Sequence, residues 1–398
     1  MADKINTKMV LVLMAEGPGR EALTSALRGA DYKPHVVAEA DSLTTMLAEL
    51  KPSCLIHDWA TLENAQSIAL QQRLAKMSDF ATMCRVAYVN AVTPQLVALA
   101  SDTGIRRVIS YQTSASNVAS EIGMALSSMS LTSELQRRIY NVQMSGRNDD
   151  PEVDKTIAEA YKQYPHDVVV KLEYGNSAFR GGDIPTARSV ADQILKDQPH
   201  NVRAMNLLGR VLMKSGDDKG IEILQQANGL SPFNTDRLVI LGDAFLFKGD
   251  FKKAGQYFGE AMDLEPDNVE AKKGVVQVKL NEGDVNAALD LLGNSISEEE
   301  AASFFNNAAV YAAQHQEAAK SEKLYRSALD VLKSPHLKAI VHFNLALSFE
   351  RRDKLDEAME NLTKSIGFNR EFAKAKKARE RVIGLMKKRD RVKSRKSA

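Results

Sequence analysis

The sequence predicts an α/β domain followed by an all-α solenoid: a doubly wound five-stranded parallel sheet at the amino end, then stacked helix pairs. Three observations predict this. Over the first 130 residues, short apolar runs alternate with amphipathic stretches, the pattern of a parallel sheet covered by helices on both faces. After residue 150 no strand candidate remains. From there markers recur at a fixed interval: Gly175, Gly209 and Gly242 lie 34 and 33 residues apart, and Pro199, Pro232 and Pro266 lie 33 and 34 apart. A constant period of this size marks a repeat array.

The elements run in order along the chain. Met9 to Met14 (MVLVLM) is apolar throughout, as a strand buried on both sides must be. Gly19 to Gly29 is helical, His35 to Ala38 a strand, Ser42 to Leu50 a helix, and Cys54 to His57 and Arg85 to Val89 strands. Pro94 to Ser101 is the next helix, Arg107 to Ser110 the fifth strand, and Ser116 to Met129 the closing helix. Chemistry in such folds gathers at the carboxyl ends of the strands. Gly146 to Pro151 (GRNDDP) is the best boundary, although a helix from Ser116 to Met144 would join the halves stiffly. Glu152 to Tyr164 is a lone helix suited to capping the amino end of the array.

Within the array, Thr235 to Asn268 is the clearest copy: Leu241-Gly242 lets two helices approach, Phe245 and Phe258 fill the space between them, and Pro266 stops the second. Two later copies, Ala302 to Pro335 and Ala339 to Phe372, keep the register without the glycines, giving about six repeats with the fourth irregular around Gly293 to Ser297. Glu298 to Glu300 start a helix after Ser297, where negative charge favours the helix dipole. Phe372 to Lys388 is a polar helix that caps the last repeat. The predicted domains are therefore 1–130, a linker and cap over 131–165, the array over 166–372, and a capping helix with a basic tail over 373–398.

With its 34-residue period and Gly, Ala, Phe and Pro markers, the array resembles the tetratricopeptide repeat (TPR) family, which implies a non-enzymatic surface for protein or peptide partners. By register, the inner face takes Asn176, Arg180, Arg203, Asn206, Arg210, Lys214, Asp236 and Asp243, then Lys273, Gln277, Asn306, Asn307 and Asn344. The basic group at Arg203, Arg210 and Lys214 is suited to carboxylates or an acidic peptide, because Arg forks bind them bidentately. The bland alternative is that these bases pair with Asp236 and Asp243 on the next helix. Chaperone-tail clamps of the family need polar residues where Leu172, Leu207 and Ile240 stand, so chaperone binding is not predicted.

Residues 9–129 resemble the response-regulator receiver domain in the order and spacing of their strands, with a flavodoxin-like topology. Pro52 to Asp58 (PSCLIHD) resembles the third strand, and Asp58 matches the phosphate-accepting aspartate. The family's phosphoryl chemistry also implies an acidic pair that holds Mg²⁺. Met14-Ala15 occupies those positions, with only Glu16 adjacent. The hydroxyl position is Asn90, the lysine position Tyr111, and the following proline Gln112. With one of five members present, the expectation is a pseudo-receiver with a vestigial Asp58, no cofactor, and Mg²⁺ only if Asp58 is phosphorylated. Its face around the fourth helix and fifth strand remains open to a signalling partner, and Arg106 and Arg107 stand there where the family often has acids.

Other chemistries lack their motifs. Gly17-Pro18-Gly19-Arg20-Glu21-Ala22 with Glu39 fits a dinucleotide pattern, but it starts late and Pro18 removes an N–H the pyrophosphate needs. The seven histidines form no HxH or HExxH, and GxSxG and GxxxxGK[ST] are absent. Two cysteines, Cys54 and Cys84, make no disulfide framework or zinc spacing. No apolar run reaches the roughly 18 to 20 residues of a membrane span. A cytoplasmic protein is expected.

The formal charge of +2 hides an uneven distribution. Residues 371–398 carry twelve Lys and Arg against three acids, leaving 41 bases against 48 acids before them. Lys387 to Lys396 holds seven bases in ten residues and is expected not to fold alone. Such a tail suits electrostatic contact with nucleic acid or an anionic surface, but without interleaved aromatics nucleic-acid recognition is disfavoured. The sequence thus predicts a bacterial signalling adaptor; the alternatives are a response regulator phosphorylated at Asp58 and binding through the tail.

Overall fold

The computed structural model describes residues 6–62, 64–77, 80, 83–114, 116–126, 151–292 and 296–396. The boundary segment Gly146 to Asp150 and the joining helix beyond residue 126 lie outside them, as do residues 293–295 of the irregular fourth repeat. The chain divides into two compact units, Met1–Asn234 and Thr235–Ala398.

The first unit opens with β1 (Asn6–Leu13), α1 (Pro18–Gly29), β2 (Lys33–Val37), α2 (Leu43–Leu50), β3 (Pro52–Asp58), α3 (Asn64–Lys76), β4 (Cys84–Val89), α4 (Pro94–Thr103), β5 (Arg107–Ser110) and α5 (helical over residues 116–126). The strands form one parallel sheet in the order β2-β1-β3-β4-β5, the flavodoxin-like arrangement. Alternation along β1 explains its unbroken apolar run. Val10 and Val12 meet Leu23 and Leu27 of α1 and Val118 and Ile122 of α5 on one face. Leu11 and Leu13 meet Leu43 and Leu47 of α2 and Leu70 and Leu74 of α3 on the other. The free cysteines Cys54 and Cys84 are buried side by side in register on β3 and β4.

Helix α3 is absent from the sequence-predicted elements. Its inner face includes Ser67 and Gln71, both fully buried, and two polar residues on the core side break the apolar periodicity that identifies a helix. Helix α4 extends two residues beyond Ser101, from a Thr93 cap whose Oγ1 accepts from Leu96 N to a left-handed Gly104 at φ 77°.

The same unit continues with α6 (Pro151–Gln163), α7 (Val168–Arg180), α8 (Ile184–Asp197), α9 (Val202–Lys214) and α10 (Lys219–Leu230). Asx caps recur with the repeat: Asp167 and Asn201 accept from the first turns of α7 and α9, and Asp183 caps α8. Helix α4 of the sheet domain packs on these repeats. Ala98 is buried against Val202, Met205 and Ala227. Around that contact Ser101 donates to Asn201 at 3.2 Å, and Ser231 and Asn234 donate to Asp102 at 2.8 Å each. The fourth-helix surface is thus occupied from within the chain, which corrects the expectation of an open face there.

The second unit holds α11 (Thr235–Phe247), α12 (Phe251–Leu264), α13 (Val269–Glu282), α14 (Val285–Leu292), α15 (Glu298–Gln314), α16 (Ala318–Val331), α17 (Pro335–Arg351), α18 (Leu355–Phe368) and α19 (Ala373–Lys396). Phe258 of α12 is fully buried, and a Cβ at Gly242 or Gly274 would stand 2.6 or 2.3 Å from its ring. Those two glycines let α11 and α13 close on one aromatic. Ser297 and Glu300 form a reciprocal capping box at the start of α15. Helix α19 buries Ala375, Ala378 and Val382 in the terminal core, covering the last repeat as a cap must.

Helix α19 runs on to Lys396, so the basic tail is helical rather than unfolded. The reason is cooperativity: a docked helix supplies the nucleus, and each further residue only propagates it. Arg381 forks onto Glu350 at 2.7 Å through both nitrogens, and Arg389 pairs with Asp356 at 3.1 Å, fixing the helix along its length.

Candidate functional site

The carboxyl end of β3 holds the first candidate. Asp58 is 6% exposed, and its hydrogen-bond donors come from the same end of the sheet. Thr61 Oγ1 donates to Oδ2 at 3.1 Å, the Ala60 amide to Oδ1 at 3.3 Å, and the Tyr111 hydroxyl also to Oδ1. Thr61 is itself held by the Ala15 amide at 3.2 Å. The Tyr111 ring packs on Tyr88 with centroids 4.6 Å apart. Burial, with the Asp58 carboxylate beside it, pushes the Tyr111 phenol well above its usual range, so it remains a proton donor. Glu16 is turned to Arg20 at 3.2 Å. Among the described residues, no group of three His, Cys, Asp or Glu is placed to hold a metal ion.

One residue earlier, His57 faces the opposite side of the sheet and is 1% exposed. Gln71 Nε2 lies 3.1 Å from its Nδ1 and Ser67 Oγ 3.4 Å from its Nε2. Burial lowers its pKa to about 4, against a smaller opposing effect of Asp58. This histidine is a neutral core residue.

The second candidate is the face of the first helices of the repeats. In the first unit, Arg180 pairs with Asp154 of α6 at 3.1 Å and Arg203 with Glu173 of α7 at 2.8 Å. These bases therefore find acids on helices earlier in the chain, Arg180 on the helix just before and Arg203 on the first helix of the preceding pair. The Arg210 guanidinium lies over the Phe179 ring, 4.4 Å from its centroid, a cation–π seat that fixes its plane. Asn176 and Asn206 are half-buried and Lys214 is exposed. In the second unit, Lys273 bridges Glu270 at 3.0 Å and Glu300 at 2.7 Å, and Asn344 donates to Asn306 at 2.8 Å. Asp243 reaches solvent, yet the neighbouring helices wall it in, and that partial burial together with Glu270 raises its carboxyl to about 6.

Two residues of this face were not legible from charge. Phe179 carries Arg210, and Phe247 is 94% exposed at the end of α11. Phe247 stands at the repeat position of Arg180 and Lys214, 67 and 33 residues earlier. Repeat register is the signal that marks it, because an apolar side chain leaves no trace in a pattern of charges.

Comparison with known proteins agrees with the helix pairs. The Tetratricopeptide repeat family matches over residues 172–234 and again over residues 236–268, so the array carries tetratricopeptide repeats, modules that present surfaces to other proteins. The BBSome complex member BBS4 of Bos taurus is 33% identical over 102 residues, covering 24% of this chain; the chain spans about a fifth of that relative's length, 20%. The solved structure of YrrB, described as a TPR protein with an unusual peptide-binding site, aligns at 16% identity and a TM-score of 0.33, over 56% of this chain and 97% of its own. A response regulator from Thermotoga maritima aligns at 16% identity and a TM-score of 0.28, over 30% of this chain and 98% of its own.

Proposed function

We propose that the chain is a non-enzymatic scaffold that docks protein partners on the first-helix faces of its repeats, and that its sheet domain is a pseudo-receiver in a bacterial signalling adaptor. The observation that carries the docking role is the pre-positioned polar set on family-matched repeats: Arg210 seated on Phe179, Lys214 exposed nearby in sequence, and Asp243 kept beside Glu270. An acid whose own fold favours its neutral form is a functional-site candidate rather than a stability device. Basic residues of a partner would relieve Asp243, and acidic ones would pair with Arg210 and Lys214.

The pseudo-receiver role rests on the occupancy of Asp58. Its oxygens serve Tyr111, Thr61 and Ala60, and Glu16, the acid that follows Met14-Ala15 in sequence, is engaged with Arg20. One carboxylate so engaged is a poor donor set for Mg²⁺, which demands near-octahedral oxygen ligands.

The test begins with affinity capture on the full chain, followed by titration of the purified partner by calorimetry. Arg210→Ala and Asp243→Lys are each expected to weaken a face-bound partner by about tenfold or more. A partner indifferent to both substitutions but lost on removal of residues 387–398 would instead support binding through the basic helix and overturn the face assignment.

A further inference from the structure

Within the first unit, β5 and α5 on one side and α7 and α9 on the other enclose a cleft of about 920 Å³. Four arginines line it, Arg85, Arg106, Arg107 and Arg203, with three carboxylates, Asp102, Glu121 and Glu173. The carboxylates are already engaged. Arg107 pairs with Glu121 at 3.4 Å and Arg203 with Glu173 at 2.8 Å, while Asp102 accepts from Ser231 and Asn234.

Two of the arginines make no ion pair among the described residues. Arg106 makes no ion pair with a described residue; its charged surroundings are Asp167, which attracts it, and Arg203, which repels it. Asp167 is occupied in capping α7, accepting from the Val169 and Val170 amides at 2.8 and 3.0 Å. Arg85 is 2% exposed; its Nη1 serves Gln71, and its Nε has no partner among the described residues. The two are adjacent across the sheet edge, where the Arg106 amide donates to the Arg85 carbonyl at 2.8 Å. Burial, with Arg106 beside it, pulls Arg85 down to about 10.

A buried guanidinium with an unmade hydrogen bond is unfavourable unless a ligand completes it. Two neighbouring guanidinium groups call for a dianion with several acceptor oxygens, which a phosphate monoester supplies. From α7 the cleft is also lined by the apolar Val168, Val169 and Leu172, beside the Arg203–Glu173 pair.

We propose that this cleft binds a small phosphate monoester, its dianion neutralised by Arg106 and Arg85 and its organic part resting on Val168, Val169 and Leu172. The site is separate from Asp58, and it borders the first-helix face through Arg203 of α9, whose charge is taken by Glu173. A ligand there spans the sheet domain and the first two repeats, linking their stabilities through mass action.

The probes are inorganic phosphate and AMP, titrated into the full chain by calorimetry, with succinate as a dicarboxylate control. Both phosphates are expected to bind saturably, and Arg106→Gln to weaken both by about tenfold or more, the loss of a charge-assisted contact. Asp167→Asn, which preserves the helix cap, is expected to tighten both by removing the competing charge. Circular dichroism checks that each variant is folded. Absence of binding at millimolar phosphate and AMP, affinities unmoved by Arg106→Gln, or equal affinity for succinate would each overturn the proposal.

Discussion

Tyr111 donates its hydroxyl to the carboxylate of Asp58, across the 53 residues that separate β3's end from the end of β5. A neutral donor from the end of β5 thus serves the carboxylate at the end of β3. Tyr111→Phe keeps the ring against Tyr88 and removes only this bond. The expected loss is about 1 to 3 kcal/mol, as for a buried hydrogen bond to a charged acceptor. Trp59 is the one tryptophan in the sequence, so urea unfolding followed by its fluorescence measures the sheet domain.

His57 makes the sheet domain sensitive to acid. Its folded pKa of about 4 lies below the unfolded value near 6.5. The unfolded state therefore binds the proton more readily between those values, and stability falls as pH drops from about 6.5 to about 4. The full contribution is roughly 3 kcal/mol, complete above that window and lost below it. Urea midpoints across this range, by Trp59 fluorescence, should show the slope, and His57→Gln should flatten it.

Asp243 gives the opposite sign in the second unit. Its folded pKa of about 6 stands above the ordinary carboxylate value, so its contribution is present at low pH and is lost as pH rises through about 6. Asp243→Asn holds the group neutral. Because the carboxylate reaches solvent, screening reduces the gain to about 1 kcal/mol at pH 7, vanishing near pH 4. Thermal melts of the full chain at the two pH values check it.

Two glycines of the second unit separate packing from propensity. Gly274→Ala places a methyl 2.3 Å from the Phe258 ring, and overpacking of that kind destabilises by about 1 to 3 kcal/mol. Gly259 lies inside α12 with nothing within 4 Å of its would-be Cβ, so Gly259→Ala stabilises by about 0.5 to 1 kcal/mol. Denaturant midpoints should move in opposite directions.

The strands and helix pairs were legible because their signals are local. An unbroken run such as MVLVLM reflects burial on two faces, and the 33- and 34-residue spacings reflect glycines and Asx caps that each repeat needs at the same place. Helix α3 was not legible, because Ser67 and Gln71 sit on its core side to serve His57 and Arg85. Asp58 was found from its strand, whereas its tie to Tyr111 depends on β5 lying two strands away in the sheet. The acids that take Arg180 and Arg203 lie on helices earlier in the chain, not the following one, and charge alone carries no direction. The helical state of the basic tail was not legible because composition describes a segment by itself, while α19 is continued from a docked start.

The central claim is that Asp58 serves as an internal hydrogen-bond acceptor on a scaffold and not as a phosphate acceptor. Intact-mass spectrometry of the full chain after incubation with acetyl phosphate and Mg²⁺, beside Asp58→Asn, tests it most directly. The expected result is no phosphoryl adduct on either protein. An adduct on the native chain that disappears in Asp58→Asn would contradict the claim and make the chain a phosphorylated response regulator.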